Sequence, residues 1–375
     1  MTMGISKQTS EIVALWLIPG LGPHRIGSLL RQFGDSGGVF GASAAELTRV
    51  EGISSRLSAL IQSARESPLF IQECRLIEKY RITVLNFLDA RYPKLLREIY
   101  TSPPILYVKG DIDFNRGVFI GVVGSRKASY TGKCFCKKLI RGLARFSSEI
   151  TIVSGLALGI DGVAHRSALE NGLKTVAVLA GGLSRIYPSQ HLELSRSITE
   201  NGALTTEFPI ETKPAPGNFP LRNRIISGMS QGVIVIEAGE RSGALITAGY
   251  ALEQNRELFA VPGQADSRYY RGTNRLIQRG QAKLVLEAED VLEELQPVLV
   301  AEKKKQTKRE SPSAKDPTAD EMAILNKLED KCLHRDALAA ELDMPVRKLL
   351  AILTTMEIKG LVVGKAGSLF QRVDP

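Results

Sequence analysis

Cysteine is scarce in this chain, four residues in 375, and tryptophan is scarcer, at one. Cys74, Cys134, Cys136 and Cys332 are scattered, and the Cys134/Cys136 pair falls in a helical pattern with no companion at zinc-ligand spacing. A disulfide framework and a structural zinc are both disfavoured, so the thiols are expected to be reduced and structural. Histidine is equally rare. His24, His165, His191 and His334 lie in different settings, without a G-x-S-x-G signature beside them. No run approaches the roughly 18 apolar residues of a membrane span, and the N-terminus lacks the apolar core of a signal peptide. A cytoplasmic protein with no membrane association is expected. The formal charge is +9, yet no polybasic arm concentrates it, so charge alone argues weakly for a nucleic-acid partner.

What the chain does contain is a succession of apolar strands that end in small residues. Val118–Val123 runs into Gly124-Ser125-Arg126, and a helical pattern follows from about Thr131 to Phe146. The turn supplies close backbone approach at Gly124, a hydroxyl at Ser125 and a planar cationic fork at Arg126, all suited to phosphate. A second strand, from Thr151, reaches Ser154-Gly155 and then a helix bearing Asp161, His165 and Arg166. Two such helix starts side by side make an anion-accepting edge. Further strands at Thr175–Leu179, Ala203–Thr206, Gly232–Glu237 and Glu257–Val261 alternate with helical patterns. Continuous apolar strands between helices predict an α/β, Rossmann-like parallel sheet over residues 113–300.

The glycines exclude the familiar cofactor loops. Gly155, Gly159 and Gly162 are spaced G-x-x-x-G-x-x-G, not G-x-G-x-x-G, and Gly124 to Gly132-Lys133 is too long for a Walker A loop. No cofactor is expected.

Asn218-Phe219-Pro220-Leu221-Arg222-Asn223-Arg224 opens another helix. Spacing by four places Leu221, Ile225 and Met229 inward, leaving at least one of Arg222, Asn223 and Arg224 toward the sheet edge beside Phe219. An aromatic among arginines suits a groove that stacks bases and tracks a backbone. The competing reading makes Phe219 a helix-entry staple and pairs the arginines with Glu207 or Glu237. Ser242-Gly243 begins one more small-residue turn, and so many anion-accepting turns on one edge suggest a polymer. Asp161 and His165, one helical turn apart, read more readily as a surface or capping contact than as a catalytic dyad. Glu207, Glu237 and Glu240 are the candidate general bases; with no nucleophile or metal pattern, no catalytic residue is assigned.

The flanks are modular. Residues 1–66 carry two copies of an apolar–glycine-turn–helix pattern, Leu17–Leu30 and Leu47–Ile61, resembling the helix-hairpin-helix module that presents amides to DNA phosphate. Residues 67–112 read as a connector docking on the core, with Ile105–Val108 as an edge strand after Pro103-Pro104. Residues 301–318 are charged and proline-bearing, a flexible linker. Residues 319–375 read as three helices and a hairpin, a winged helix with Arg347 and Lys348 on its recognition helix, or else a protein-docking module.

Taken in order, Gly124-Ser-Arg126, Ser154–Asp161 with His165, Tyr187-Pro188, Phe219–Ile225, Ser242–Ala248 and Ala260–Gly263 resemble the DNA-processing protein A (DprA/Smf) family over about residues 90–290. Ser184 and His191 depart from it, standing where Asp and Asn are expected in many relatives. The resemblance implies a non-enzymatic protein that binds single-stranded DNA, dimerises through the Rossmann-like domain and loads the RecA recombinase, protecting and recombining incoming DNA in transformable bacteria. It places Gly124, Ser125, Arg126, Ser154, Gly155 and the Phe219–Arg224 segment at the DNA; Asn218, Ser242 and Gly243 join them on the reading of the sheet edge. Two rival readings remain: a nucleoside-monophosphate-cleaving enzyme using Glu207 or Glu237, and a scaffold that binds DNA through its terminal modules.

Overall fold

In a computed structural model, residues 5–295, 318–328, 331–358, 361–365 and 367–373 are described. The chain forms two units, Met1–Leu299 and Val300–Pro375. The expected linker over 301–318 lies outside the described residues, apart from Thr318.

The first unit is built on a nine-stranded sheet, ordered β1-β2-β6-β5-β4-β3-β7-β8-β9. Its strands are β1 (Thr83–Asn86), β2 (Ile105–Gly110), β3 (Val118–Val123), β4 (Ile150–Ser154), β5 (Lys174–Val178), β6 (Gly202–Thr206), β7 (Gly232–Val235), β8 (Glu257–Ala260) and β9 (Lys283–Leu284). From β6 across to β9 every pairing is parallel. Every residue of β3, β4, β6 and β7 is buried, as a strand covered on both faces must be, which explains the unbroken apolar runs of β3 and β7.

The strand order places the site. The chain steps outward from β3 through β4, β5 and β6, then returns to the other side of β3 to make β7 and β8. The crossovers therefore diverge at β3 and β7, and their carboxyl ends open a crevice between them. Around it lie α8 (Tyr130–Phe146), α9 (Ile160–Glu170), α11 (Asn218–Gly228) and α12 (Ala244–Glu253).

Two expectations are corrected here. Ile105–Gly110 is not an edge strand, because β2 lies between β1 and β6 and pairs antiparallel with both. The prolines at 103 and 104 restrict only the approach to the strand; its donors lie beyond them. Residues 67–112 accordingly contribute two strands to the sheet in addition to docking on it.

The N-terminal helices repeat a hairpin, as expected. Helix α1 (Lys7–Trp16) turns through Gly20, at φ 85°, into α2 (Pro23–Phe33). Helix α4 (Ala44–Leu47) turns through Gly52, at φ 79°, into α5 (Ser55–Ser63). In each turn an amide closes on the carbonyl three residues back, Leu21 N to Ile18 O and Ile53 N to Val50 O, both at 3.1 Å. These helices share one core with the sheet: Ile12, Leu15, Leu29 and Ile61 pack in the same cluster as Ile105, Tyr107 and Leu204. Trp16 Nε1 donates to Glu207 O at 2.7 Å, tying α1 to the loop after β6.

The second unit has helices at Ala319–Lys327, Arg335–Glu341 and Val346–Ile358, with a three-stranded sheet β10 (Leu333–His334), β12 (Leu369–Arg372) and β11 (Val362–Lys365). Leu338, Leu349, Leu353 and Met356 form its core. This is the expected winged helix, with β10 added. Two residues of strand leave no alternation to read. Of the two basic residues placed on the recognition helix, Lys348 pairs with Asp320 at 2.8 Å and Arg347 is exposed.

Candidate nucleic-acid interface

The crevice at the ends of β3 and β7 is a cavity of about 1030 Å³, at the upper end of the roughly 300–1,000 Å³ usual for small-molecule sites. Its floor is made by two turns locked together. A side chain at Gly124 would come within 2.6 Å of Ile160, and one at Gly159, whose φ is 82°, would collide with the carbonyls of Ser125 and Arg126. Ile160 N closes the junction by donating to Ser125 O at 3.2 Å. Ser125 Oγ accepts from Lys127 N at 3.1 Å, so the hydroxyl shapes its own turn and Arg126 is left exposed at the rim.

Beneath that rim lie two buried groups of opposite charge, Asp161 and Arg222, each bonded to backbone. The Asp161 carboxylate accepts from the amides of Gly155 at 3.2 Å and Ala157 at 3.3 Å, capping the turn after β4. Burial pushes its pKa up, against the pull of Arg222 and the two amides. Arg222 donates through Nη1 to Gly155 O at 2.6 Å and to Val178 O, and through Nε to Asn223 Oδ1 at 3.2 Å. Burial lowers its pKa to about 10, partly offset by Asp161, so it stays charged at neutral pH. Asp161 and His165 therefore do not act as a pair. His165 Nδ1 lies 2.7 Å from Thr175 Oγ1, whose own proton goes to Ile152 O, so Nδ1–H donates and the buried Nε2 is left without a partner. The surface or capping contact expected between them is not found: both are buried, Asp161 on the loop amides before α9 and His165 on Thr175.

Phe219 opens α11 half-buried and does not serve as a plain core staple. The Arg126 guanidinium lies over its ring at 4.7 Å, Arg222 approaches at 5.9 Å, and Tyr187 meets it edge-on at 6.0 Å. On the far wall, the turn after β7 brings in Ser242 and Gly243. Ser242 Oγ accepts from Ala244 N at 3.3 Å, and Gly243 O accepts from Asn223 at 3.4 Å. Buried Glu237 accepts from the amide and hydroxyl of Ser129, the cap of α8, and so anchors the end of the Arg126 loop. Burial pushes its carboxyl upward in pKa.

Of the twelve residues expected at the site, Gly124, Ser125, Arg126, Phe219, Arg222 and Asn223 line this cleft, with Ser242 and Gly243. The other four do not. Ser154 is wholly buried, donating to Val122 O at 2.6 Å, because the end of β4 lies inside the sheet. Gly155 is covered by the Arg222 guanidinium, 2.5 Å from where a side chain would stand. Asn218 turns to Ala180 O at 3.1 Å. Arg224 pairs with Glu207 at 2.5 Å, both buried, as the competing reading had it. Leu221, expected inward, is exposed. The inner face of α11 is set by that ion pair and by Ile225, Ile226 and Met229, not by the apolar spacing from Leu221. The residues that depart from the family pattern bond backbone: Ser184 Oγ donates to Ile210 O at 2.7 Å, and His191 Nδ1 lies 2.9 Å from Leu156 O.

Sequence reasoning missed Lys127, Tyr187 as a wall, Arg241, Arg268 and Tyr269, all in the cleft lining. Arg241 stands two residues before Gly243 and could have been found there. Arg268 and Tyr269 arrive by a loop whose path no local pattern discloses. Among the described residues no three His, Cys, Asp or Glu side chains gather as metal ligands, and no helix is long and apolar enough to cross a membrane.

Known proteins bear on this geometry. The sequence pattern of the family described as DNA recombination-mediator protein A matches residues 83–296, and that of the DprA winged helix domain matches 308–368. DNA processing protein DprA of Bacillus subtilis is 44% identical over 59% of this chain and 75% of its own. Protein Smf of Escherichia coli is 39% identical over 74% of each chain, and Protein Smf of Synechocystis is 33% identical over 96% of this chain and 98% of its own. The crystal structure of DprA from Streptococcus pneumoniae superposes with a TM-score of 0.67 at 36% identity, over 78% of this chain and 99% of that one. DNA processing protein A of Helicobacter pylori, whose structure concerns single-stranded DNA binding, superposes at 0.52 and 28% identity, over 58% of this chain and 96% of that one. A parallel sheet with its cleft at the switch point, a winged helix after it and this set of relatives lead to one assignment: the chain belongs to the DNA recombination-mediator protein A (DprA/Smf) family.

Proposed function

We propose that this protein binds single-stranded DNA in the cleft between β3 and β7 and acts as a recombination mediator, protecting incoming DNA and loading the RecA recombinase on it. The observation that carries the reading is the Arg126–Phe219 pair: an exposed cation over an aromatic face at the mouth of a cavity larger than one nucleotide needs. A base would take the ring face as the exposed Arg126 guanidinium passes to a phosphate. The Helicobacter pylori relative, described as binding single-stranded DNA, supports the choice of ligand. Homodimerisation through the Rossmann-like domain, a cytoplasmic location and the assignment of DNA contact to 113–300, with 1–66 and 319–375 as accessory modules, belong to the same proposal.

The reading is of a binding protein and not an enzyme. Glu207 and Glu237, the acid–base candidates of the hydrolase alternative, are engaged with Arg224 and with Ser129. Fluorescence-anisotropy titration of single- and double-stranded oligonucleotides with wild type and Arg126→Ala tests it. Single-strand preference with at least a tenfold loss in the variant is expected. Duplex preference untouched by the substitution would move the DNA site to the terminal modules.

A further inference from the structure

The cleft has a second arginine–aromatic pair. Arg268 lies with its guanidinium 5.2 Å from the Tyr269 ring, and both line the same cavity as Arg126 and Phe219. We infer that Tyr269 is a second base-stacking platform in the cleft, carried by a different loop from Phe219, so that the site stacks more than one base of a strand. This rests on the single-strand reading of the cleft.

The topology separates the two platforms. Phe219 lies between Tyr187 and Arg126 of the turn after β3, whereas Tyr269 comes on the loop after β8, whose Arg268 carbonyl packs against Gly239 of the turn after β7.

The loop carrying Tyr269 is pinned rather than loose. Asn274 bonds both ways with Gly263, Oδ1 accepting from Gly263 N and Nδ2 donating to Gly263 O, each at 3.0 Å. The Tyr270 ring packs on Gly263, where any side chain would collide with it, and Gly272 N donates to Ala238 O at 2.8 Å. Tyr269 is therefore held half-buried, while Arg268 and Arg241 beside it are exposed and able to reach phosphates. Arg268 also donates through Nη2 to Tyr269 Oη at 3.3 Å, and a fixed ring with cations at its edge is what sequence-tolerant stacking uses.

Oligothymidines of 3, 6, 12 and 20 nucleotides, titrated against the full chain, test the inference with Tyr269→Ala, Tyr269→Phe and Arg126→Ala. The expected result is that Tyr269→Ala loses roughly tenfold on the two longest strands, within what base–aromatic stacking supplies, and less on the trinucleotide. Tyr269→Phe keeps the ring and restores wild-type affinity. If Tyr269→Ala follows wild type at every length while Arg126→Ala weakens all of them, the second platform is wrong and the single-strand site stands. If Arg126→Ala changes nothing either, both fall.

Discussion

Two arginines of the cleft do different work. Arg222 is buried and spends its donors on Gly155 O, Val178 O and Asn223, with Asp161 as its counter-charge. Arg126 is exposed and spends its charge on the Phe219 face. Substitution should separate them. Arg222→Ala leaves the buried carbonyls of Gly155 and Val178 without that donor and should cost about 1–3 kcal/mol of folding stability in a denaturant titration, the usual penalty for a buried polar group left unpaired. Arg126→Ala should leave that titration within about 0.5 kcal/mol of wild type, as surface changes do, while removing DNA affinity. Equal destabilisation by both would contradict the division of roles.

Among the elements, α9 is tied to the sheet by a titratable bond, His165 to Thr175 on β5. Burial, then the neighbouring charges of His191, Arg222 and Arg166, lower the His165 pKa to about 3 from its ordinary 6.5. Between those values the unfolded chain binds a proton that the folded chain refuses. The associated stability is therefore complete above pH 6.5 and lost as pH falls toward 3. Removing the imidazole with His165→Gln should flatten the acid limb of a stability-versus-pH curve by up to one proton, about 1.4 kcal/mol per pH unit. An unchanged slope would mean that His165 titrates normally. The elements also show what a single sequence discloses. Strand β3 is readable to the residue because both its faces are buried, so burial alone wrote Val118–Val123. The turns after β3 and β7 are readable because Gly124 and Gly243 punctuate them. The face of α11 is not, because a buried Glu207–Arg224 pair fixes it from across the fold, and a counter-ion 17 residues away leaves no periodic trace. Nor is the antiparallel addition of β1 and β2, since strand order depends on long-range pairing. Tyr269 stays hidden for the same reason.

At the scale of the molecule, one continuous unit carries the N-terminal hairpins, the sheet and the cleft, and a second carries the winged helix. The whole cleft lining belongs to the first. A chain ended after residue 299 should therefore melt in a single transition and bind single-stranded oligonucleotides within about threefold of the full chain, well under the tenfold that 1.4 kcal/mol represents. Loss of binding on that truncation would assign the DNA to the second unit instead.

The central claim is that the β3–β7 cleft holds a DNA strand through Arg126. The most direct measurement is the salt dependence of single-strand affinity, log K against log salt, for wild type and Arg126→Ala. Each phosphate neutralised on a single strand contributes a slope of about −0.7. The account predicts that the variant binds at least tenfold more weakly and that its slope is shallower by about that amount, because one phosphate is no longer neutralised. An affinity and a slope that both match wild type would contradict it.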